Sequence, residues 1–222
     1  MKRRTLVVGA ALATTGGAFG MLYRRTPTGT SKSELALTNR SGPFLLPPGF
    51  TCTLLIERGK QHTDGTRSAA APDGMACFSD ARGNWILLRN HELDDDAREG
   101  AFPEAPSPLT YDAEYHGGVS RLVVDPATLR VISSNTVLSG THRNCAGGPS
   151  PWGWLTCEES EEPRHGYVFA CAADAERATK PLKIPGYGRF RHEAVAVDPE
   201  TLRAYLTEDQ ADGALYRFTP NA

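Results

Sequence analysis

The sequence lacks an excess of charge of either sign: 24 Lys and Arg stand against 26 Asp and Glu, a formal net charge of -2. That balance removes the electrostatic basis for binding nucleic acid or another polyanion nonspecifically. Cysteines are few and odd in number, 5, which argues against a disulfide framework. Uninterrupted helical periodicity is also missing, because 22 Gly and 16 Pro fall between short apolar runs. This punctuation belongs to an all-β chain, and little helix is expected beyond a leader. No strongly apolar stretch reaches the ~20 residues that a spanning helix requires.

What the N-terminus does have is Lys2-Arg3-Arg4 followed by a mildly apolar, Ala-, Gly- and Thr-rich run over 6–22. This pattern predicts a twin-arginine-like signal peptide over 1–22, with Ala18-Phe19-Gly20 as a cleavage site; an uncleaved membrane anchor is the alternative. Residues 23–43 read as a polar flexible arm, and 44–222 as the folded domain. Within that domain Thr51-Cys52-Thr53-Leu54-Leu55-Ile56 is expected to be a first strand. Cys52, Cys77, Cys157 and Cys171 lie in apolar alternations and are expected to be small buried thiols.

The chain then repeats a unit of strand, polar turn, strand and acidic end. Asp73 opens a strand and His91-Glu92 closes the next; Asn144-Cys145 opens another and Glu158-Glu159 closes its partner; His192-Glu193 and Glu208-Asp209 do the same. A glycine and a new strand follow each time, at His116-Gly117, His165-Gly166 and Asp212-Gly213. Val-Asp-Pro-x-Thr-Leu-Arg recurs at 124–130 and 197–203, where proline after aspartate fixes a turn. Strand hairpins in blades of about 40–50 residues predict β-propeller-like blades of antiparallel strands. Equivalent strand ends of successive blades emerge together, so these acids converge. Crowded carboxylates repel unless cations neutralise them, and a metal centre is the expectation. The insertion over 93–115, with Asp94-Asp95-Asp96, reads as a surface loop without the ligand alternation of an EF-hand.

A thiolate beside carboxylates suits iron, whereas carboxylates and an amide carbonyl suit calcium. Cys145 differs from the other cysteines in lying against the bend Ala146-Gly147-Gly148. Arg189 and Arg191, close to Glu193, are candidate catalytic residues able to clamp the oxygens of an anionic group bidentately.

Arg89-Asn90-His91-Glu92, Asn144-Cys145-Ala146-Gly147-Gly148, Pro151-Trp152-Gly153-Trp154-Leu155-Thr156-Cys157-Glu158-Glu159, Gly188-Arg189-Phe190-Arg191-His192-Glu193-Ala194 and Tyr205-Leu206-Thr207-Glu208-Asp209, with the double-arginine leader, together resemble the PhoX family of exported bacterial alkaline phosphatases. The resemblance covers roughly 44–219. It implies a six-bladed propeller and phosphomonoester hydrolysis at a centre of ferric iron (Fe3+) and calcium (Ca2+) bridged by an oxo group, with a cysteine among the iron ligands. On this reading Cys145 is the iron thiolate, Glu159 and Glu193 are shared ligands, and Glu92, Glu158, Glu208, Asp209 and Asn144 are calcium or bridging candidates. The resemblance further implies a periplasmic or extracellular monomer, exported by the twin-arginine machinery, whose partner is a small phosphomonoester.

Two departures qualify it. About 180 residues beyond the arm accommodate at most about four blades, so the domain is expected to be a partial propeller. Trp152-Gly153-Trp154 is one residue tighter than the family's Trp-Gly-Thr-Trp, which predicts a shifted register leading to Glu158. A calcium-dependent lactonase or esterase, or a non-catalytic exported binding module with structural calcium, remain the alternative functions.

Overall fold

The computed structural model describes residues 39–41, 44–94 and 108–221; the leader, most of the arm and the central part of the 93–115 insertion lie outside them. The chain divides into two compact units, Met1–Cys52 and Thr53–Ala222. In the first, β1 (Asn39–Ser41) pairs with β2 (Phe44–Leu46) as an antiparallel hairpin. Asn39–Ser41 falls within the expected flexible arm.

The second unit is all-β, with only a 3-10 turn at Pro185–Tyr187 among its described elements. Its first sheet runs in order β3 (Pro72–Ser79), β4 (Trp85–His91), β5 (Gly117–Val124), β6 (Val131–Thr141). The second runs β7 (Asn144–Ser150), β8 (Gly153–Glu158), β9 (Val168–Cys171), β10 (Leu182–Lys183), and the third β11 (His192–Val197), β12 (Ala204–Glu208), β13 (Leu215–Phe218). Every pairing within them is antiparallel. These are propeller-like blades in an open array, as the hairpin periodicity predicts. The expected strand at 51–56 does not form: no ladder pairing extends over those residues.

The middle sheet is buried on both faces, which explains why β8 carries no exposed residue. Because side chains alternate along a strand, Trp154 packs with Leu88, Val119 and Val137 of the first sheet. Leu155 and Cys157 turn the other way, onto Val195, Ala204 and Leu206 of the third. Cys157 and Cys171 are buried, as expected, but Cys52 and Cys77 are exposed. Cys77 alternates out of phase with Ala76 and Phe78, the β3 residues that face the core.

The leading strands β3, β7 and β11 lie side by side, and glycine allows their close approach. A Cβ at Gly74 would stand 2.7 Å from Ala146 Cα, and one at Gly148 would overlap the Val195 carbonyl. The shared Val-Asp-Pro-x-Thr-Leu-Arg segments form one turn in two places. Asp125 accepts from the Ala127 and Thr128 amides, and Asp198 from Glu200 N–H and the Thr201 hydroxyl. Leu129 and Leu202 each take a positive φ, 57° and 55°. The first turn joins the third and fourth strands of its sheet, however, and the second joins the first and second. The signature therefore marks turn chemistry rather than blade register.

Candidate metal centre

Blade register is set instead at the strand ends. Pro72 pairs with His91, Asn144 with Glu158 and His192 with Glu208, and after each of these pairs the ladder slips at a bulge. A bulge bends the strand and re-aims the following side chain. The residues just beyond the three pairs are Asp73 and Glu92, Cys145 and Glu159, Glu193 and Asp209. The backbone bond is repeated too, since Glu92 N–H donates to Ala71 O, Glu159 N–H to Arg143 O and Asp209 N–H to Arg191 O, at 2.9, 3.0 and 3.1 Å. The two-residue turn at Pro151 and Trp152 closes its hairpin with Ser150 opposite Gly153. The tight Trp-Gly-Trp spacing leaves Asn144 opposite Glu158, the pairing equivalent to those of the other two sheets.

This geometry gathers four carboxylate side chains around one thiol. Ligand atoms of Asp73, Glu92 and Cys145 lie within 4.8 Å of one another, as do those of Cys145, Glu159 and Glu193. Cys145 Sγ is 3.5 Å from Glu193 Oε2. Burial and then the charges of Glu193, Glu92, Asp73 and Glu159 drive the Cys145 thiol far above its ordinary pKa. Burial, a hydrogen bond with Asp73 and the charges of Asp73 and Glu159 raise the Glu92 carboxyl to about 7, with Arg143 opposing. Negative ligands that resist ionisation together are what a multivalent cation relieves. One soft sulfur among hard carboxylate oxygens is a donor set able to hold metal ions.

The thiol is held from behind. Asn90 Nδ2 donates to Cys145 O at 2.9 Å and Ala146 O at 2.7 Å, while Asn90 Oδ1 accepts from Trp154 Nε1 at 2.7 Å. Asn144 has a supporting role of the same kind. Its Oδ1 accepts from Thr141 Oγ1 at 2.5 Å and its Nδ2 donates to Thr156 Oγ1 at 2.9 Å, so its amide is committed to packing and lies fully buried.

Of the remaining candidates, Glu158 stands outside the cluster. Its carboxylate, entirely buried, accepts from His142 N–H, His165 Nδ1–H, Gly166 N–H and Tyr167 N–H at 2.7–3.0 Å. Glu208 occupies the equivalent position, and its Oε2 accepts from Ala214 N–H and the Tyr216 hydroxyl. Strand pairing requires this: alternation sends the first acid of each pair back to staple its own sheet, and only the second reaches the blade junction. Asp209 is in register with Glu92 and Glu159 and within electrostatic reach of Arg191, but outside the groups around Cys145.

The arginines divide similarly. Arg189 Nε donates to His165 O, and its Nη2 to Glu161 O and Glu162 O, which ties down a loop. Arg191 Nη2 bonds Glu159 Oε1 at 2.5 Å. Arg143, which the sequence reading passed over, holds Glu92 at 3.5 Å, Asp94 at 3.4 Å and Glu159 at 3.8 Å. It precedes Cys145 by two residues, as Arg191 precedes Glu193, and this shared spacing is the signal that identifies it. Its φ of 49° is costly for a non-glycine residue and is found where a site over-determines the backbone.

The family model for alkaline phosphatase PhoX matches residues 126–222. The PhoX match spans Cys145, Glu159, Arg191 and Glu193, and it supports an alkaline phosphatase-type function for the chain. Asp73, Glu92 and Arg89 lie ahead of the matched span, yet the repeated strand-end geometry joins the first two to the same site. No curated protein matches the chain.

Proposed function

We propose that the Cys145 cluster holds iron and calcium and hydrolyses phosphomonoesters. The observation that carries this reading is the convergence of Cys145 with Asp73, Glu92, Glu159 and Glu193, within a fold whose C-terminal part matches PhoX. Cys145, Glu159 and Glu193 would hold iron, and Asp73 and Glu92 with the Cys145 side of the cluster would hold calcium. Metal ions bound there would supply Lewis acidity and charge neutralisation for phosphoryl transfer.

The chain's own groups orient the reaction. Arg191 and Arg143 flank Glu159 from two successive blades. Each brings a fixed cationic fork to the rim, where it can orient the nonbridging oxygens of a phosphoryl group. Asn90 and Trp154 fix the Cys145 backbone, so the thiol does not turn away from the acids. Cations in the cluster would offset the burial and the Asp73 and Glu159 charges that hold Glu92 protonated, and so favour its ionised, ligating form.

The physiological ester, a monomeric state and export by the twin-arginine leader belong to the same proposal, resting on the resemblance and on residues 1–22. No helix among the described residues is long and apolar enough to cross a membrane. Phosphate release from a chromogenic phosphomonoester, measured on protein reloaded with iron and calcium after chelation, tests the activity. Restoration by calcium alone, with hydrolysis of a lactone rather than of the phosphoester, would overturn it.

A further inference from the structure

The opposite face of the first sheet carries a polar cluster of the other sign. Arg89 of β4 is partly buried. Its Nη2 donates to Ser68 Oγ at 3.1 Å and Ser120 Oγ at 3.3 Å, and lies 3.5 Å from His91 Nε2. His91 Nδ1 faces the Ala70 carbonyl at 2.8 Å, which places its proton there and makes Nε2 the acceptor for Ser120. His91 therefore brings no negative charge. Burial depresses the Arg89 pKa, with no carboxylate among the described residues countering it, and among those residues the buried Arg89 Nε–H has no partner. A buried guanidinium stays charged, and such charges are ordinarily paired.

A clasp of chain closes over this face. Residues 59–68 fold back on themselves through Gly59 N–H to Ser68 O, Ser68 N–H to Lys60 O and His62 N–H to Thr66 O, at 2.7–2.8 Å. Thr63 Oγ1 fastens the clasp to Ser134 O, and Asp64 Oδ2 accepts from Thr136 N–H. It buries His62 to 4 % exposure, within electrostatic reach of the Asp64 carboxylate as well as of Arg89 and His91. Both ring nitrogens of His62 are sequestered without a hydrogen-bond partner. Since imidazole always carries at least one N–H, a His62 donor and the Arg89 Nε–H lie in each other's neighbourhood with no acceptor among the described residues.

We propose that Arg89 and His62 bind a small inorganic anion of halide size between the first sheet and its clasp. The Arg89 Nε–H and a His62 N–H are its donors. A tetrahedral oxyanion needs more donors than remain, because the Ser68 and Ser120 hydroxyls are already engaged by Arg89. The anion completes the charge of β4, the strand that leads into Glu92, and pins the clasp to it. This site shares no residue with the Cys145 cluster and does not depend on its metals.

The test uses the full chain in gluconate buffer free of halide and phosphate, with melting followed against sodium bromide or sodium phosphate at constant ionic strength. Bromide is expected to raise Tm in a saturable manner, phosphate is not, and crystals grown with bromide are expected to show an anomalous peak beside Arg89 Nε. Arg89→Met removes the bromide response; should that variant not fold, His62→Phe is read in its place. An equal bromide response in wild type and variant, no response at all, or a saturable response to phosphate alone each overturns the proposal.

Discussion

The Arg191 guanidinium binds the Glu159 carboxylate across the boundary between the second and third sheets, and Arg143 makes the corresponding bridge to Glu92 one blade earlier. Each arginine precedes a ligand of its own blade and reaches the acid of the preceding one. The same contact thus recurs by blade symmetry, and it places a cation at each junction of the acidic rim.

Arg191→Ala is accordingly expected to lower kcat/KM for a phosphomonoester by about 100-fold, in the range for removing one fixed donor to a developing charge. Arg189→Ala, whose target is a trio of loop carbonyls, should reduce Tm with kcat/KM within a few-fold of wild type. Steady-state kinetics and melting on both variants check the division; equal losses of activity would contradict it.

Glu158 and Glu159 are adjacent in sequence but have different duties. Glu158→Gln leaves buried N–H donors facing an amide that cannot accept them all, and it should cost about 3 kcal/mol with metal content retained in the folded fraction. Glu159→Gln should fold with near-normal stability and lose metal. Urea denaturation paired with elemental analysis separates the two.

Gly148→Ala should separate β7 from β11, because the added methyl overlaps the Val195 carbonyl. Overpacking of this kind costs about 1–3 kcal/mol or more, and here it displaces Cys145 from Glu193. Loss of both stability and iron is expected. Gly83→Ala, at a turn with open space around it, provides a control with strain but no overlap.

Acid should weaken the fold through its buried histidines. Burial lowers His91 to about 3 and His192 to about 4, from 6.5. The unfolded chain takes up protons below pH 6.5 that the folded chain refuses, so their contribution is complete above pH 6.5 and declines as pH falls towards 4. Each histidine adds a slope of about 1.4 kcal/mol per pH unit in that window. Chelated wild type compared with His192→Phe between pH 7 and 4.5 should show the shallower slope in the variant.

The hairpin periodicity and the strand-end acids were legible because turn chemistry and alternation are local properties. Cys145 stood apart from the other thiols through its Gly-Gly bend, and Glu92, Glu159 and Glu193 through recurrence. Glu158 and Glu208 are not separable from their neighbours in sequence, since which acid of a pair leaves the sheet depends on where the bulge falls in its hairpin. Asn144 is a ligand candidate by its place beside Cys145; its burial and its Thr141 and Thr156 partners arise only on folding. Arg143 is marked in sequence only by its two-residue spacing from Cys145, with no acid next to it. The expected strand at 51–56 shows the converse: apolar alternation without a pairing partner forms no ladder.

On the function proposed above, Cys145 anchors a metal centre that hydrolyses phosphomonoesters. Elemental analysis of wild type and Cys145→Ala, with chromogenic phosphomonoester hydrolysis on the same samples, tests it most directly. Iron and calcium are expected together in wild type, with iron and hydrolysis lost together in a variant that still folds. Hydrolysis undiminished in Cys145→Ala, or calcium bound without iron and no hydrolysis in wild type, would contradict it.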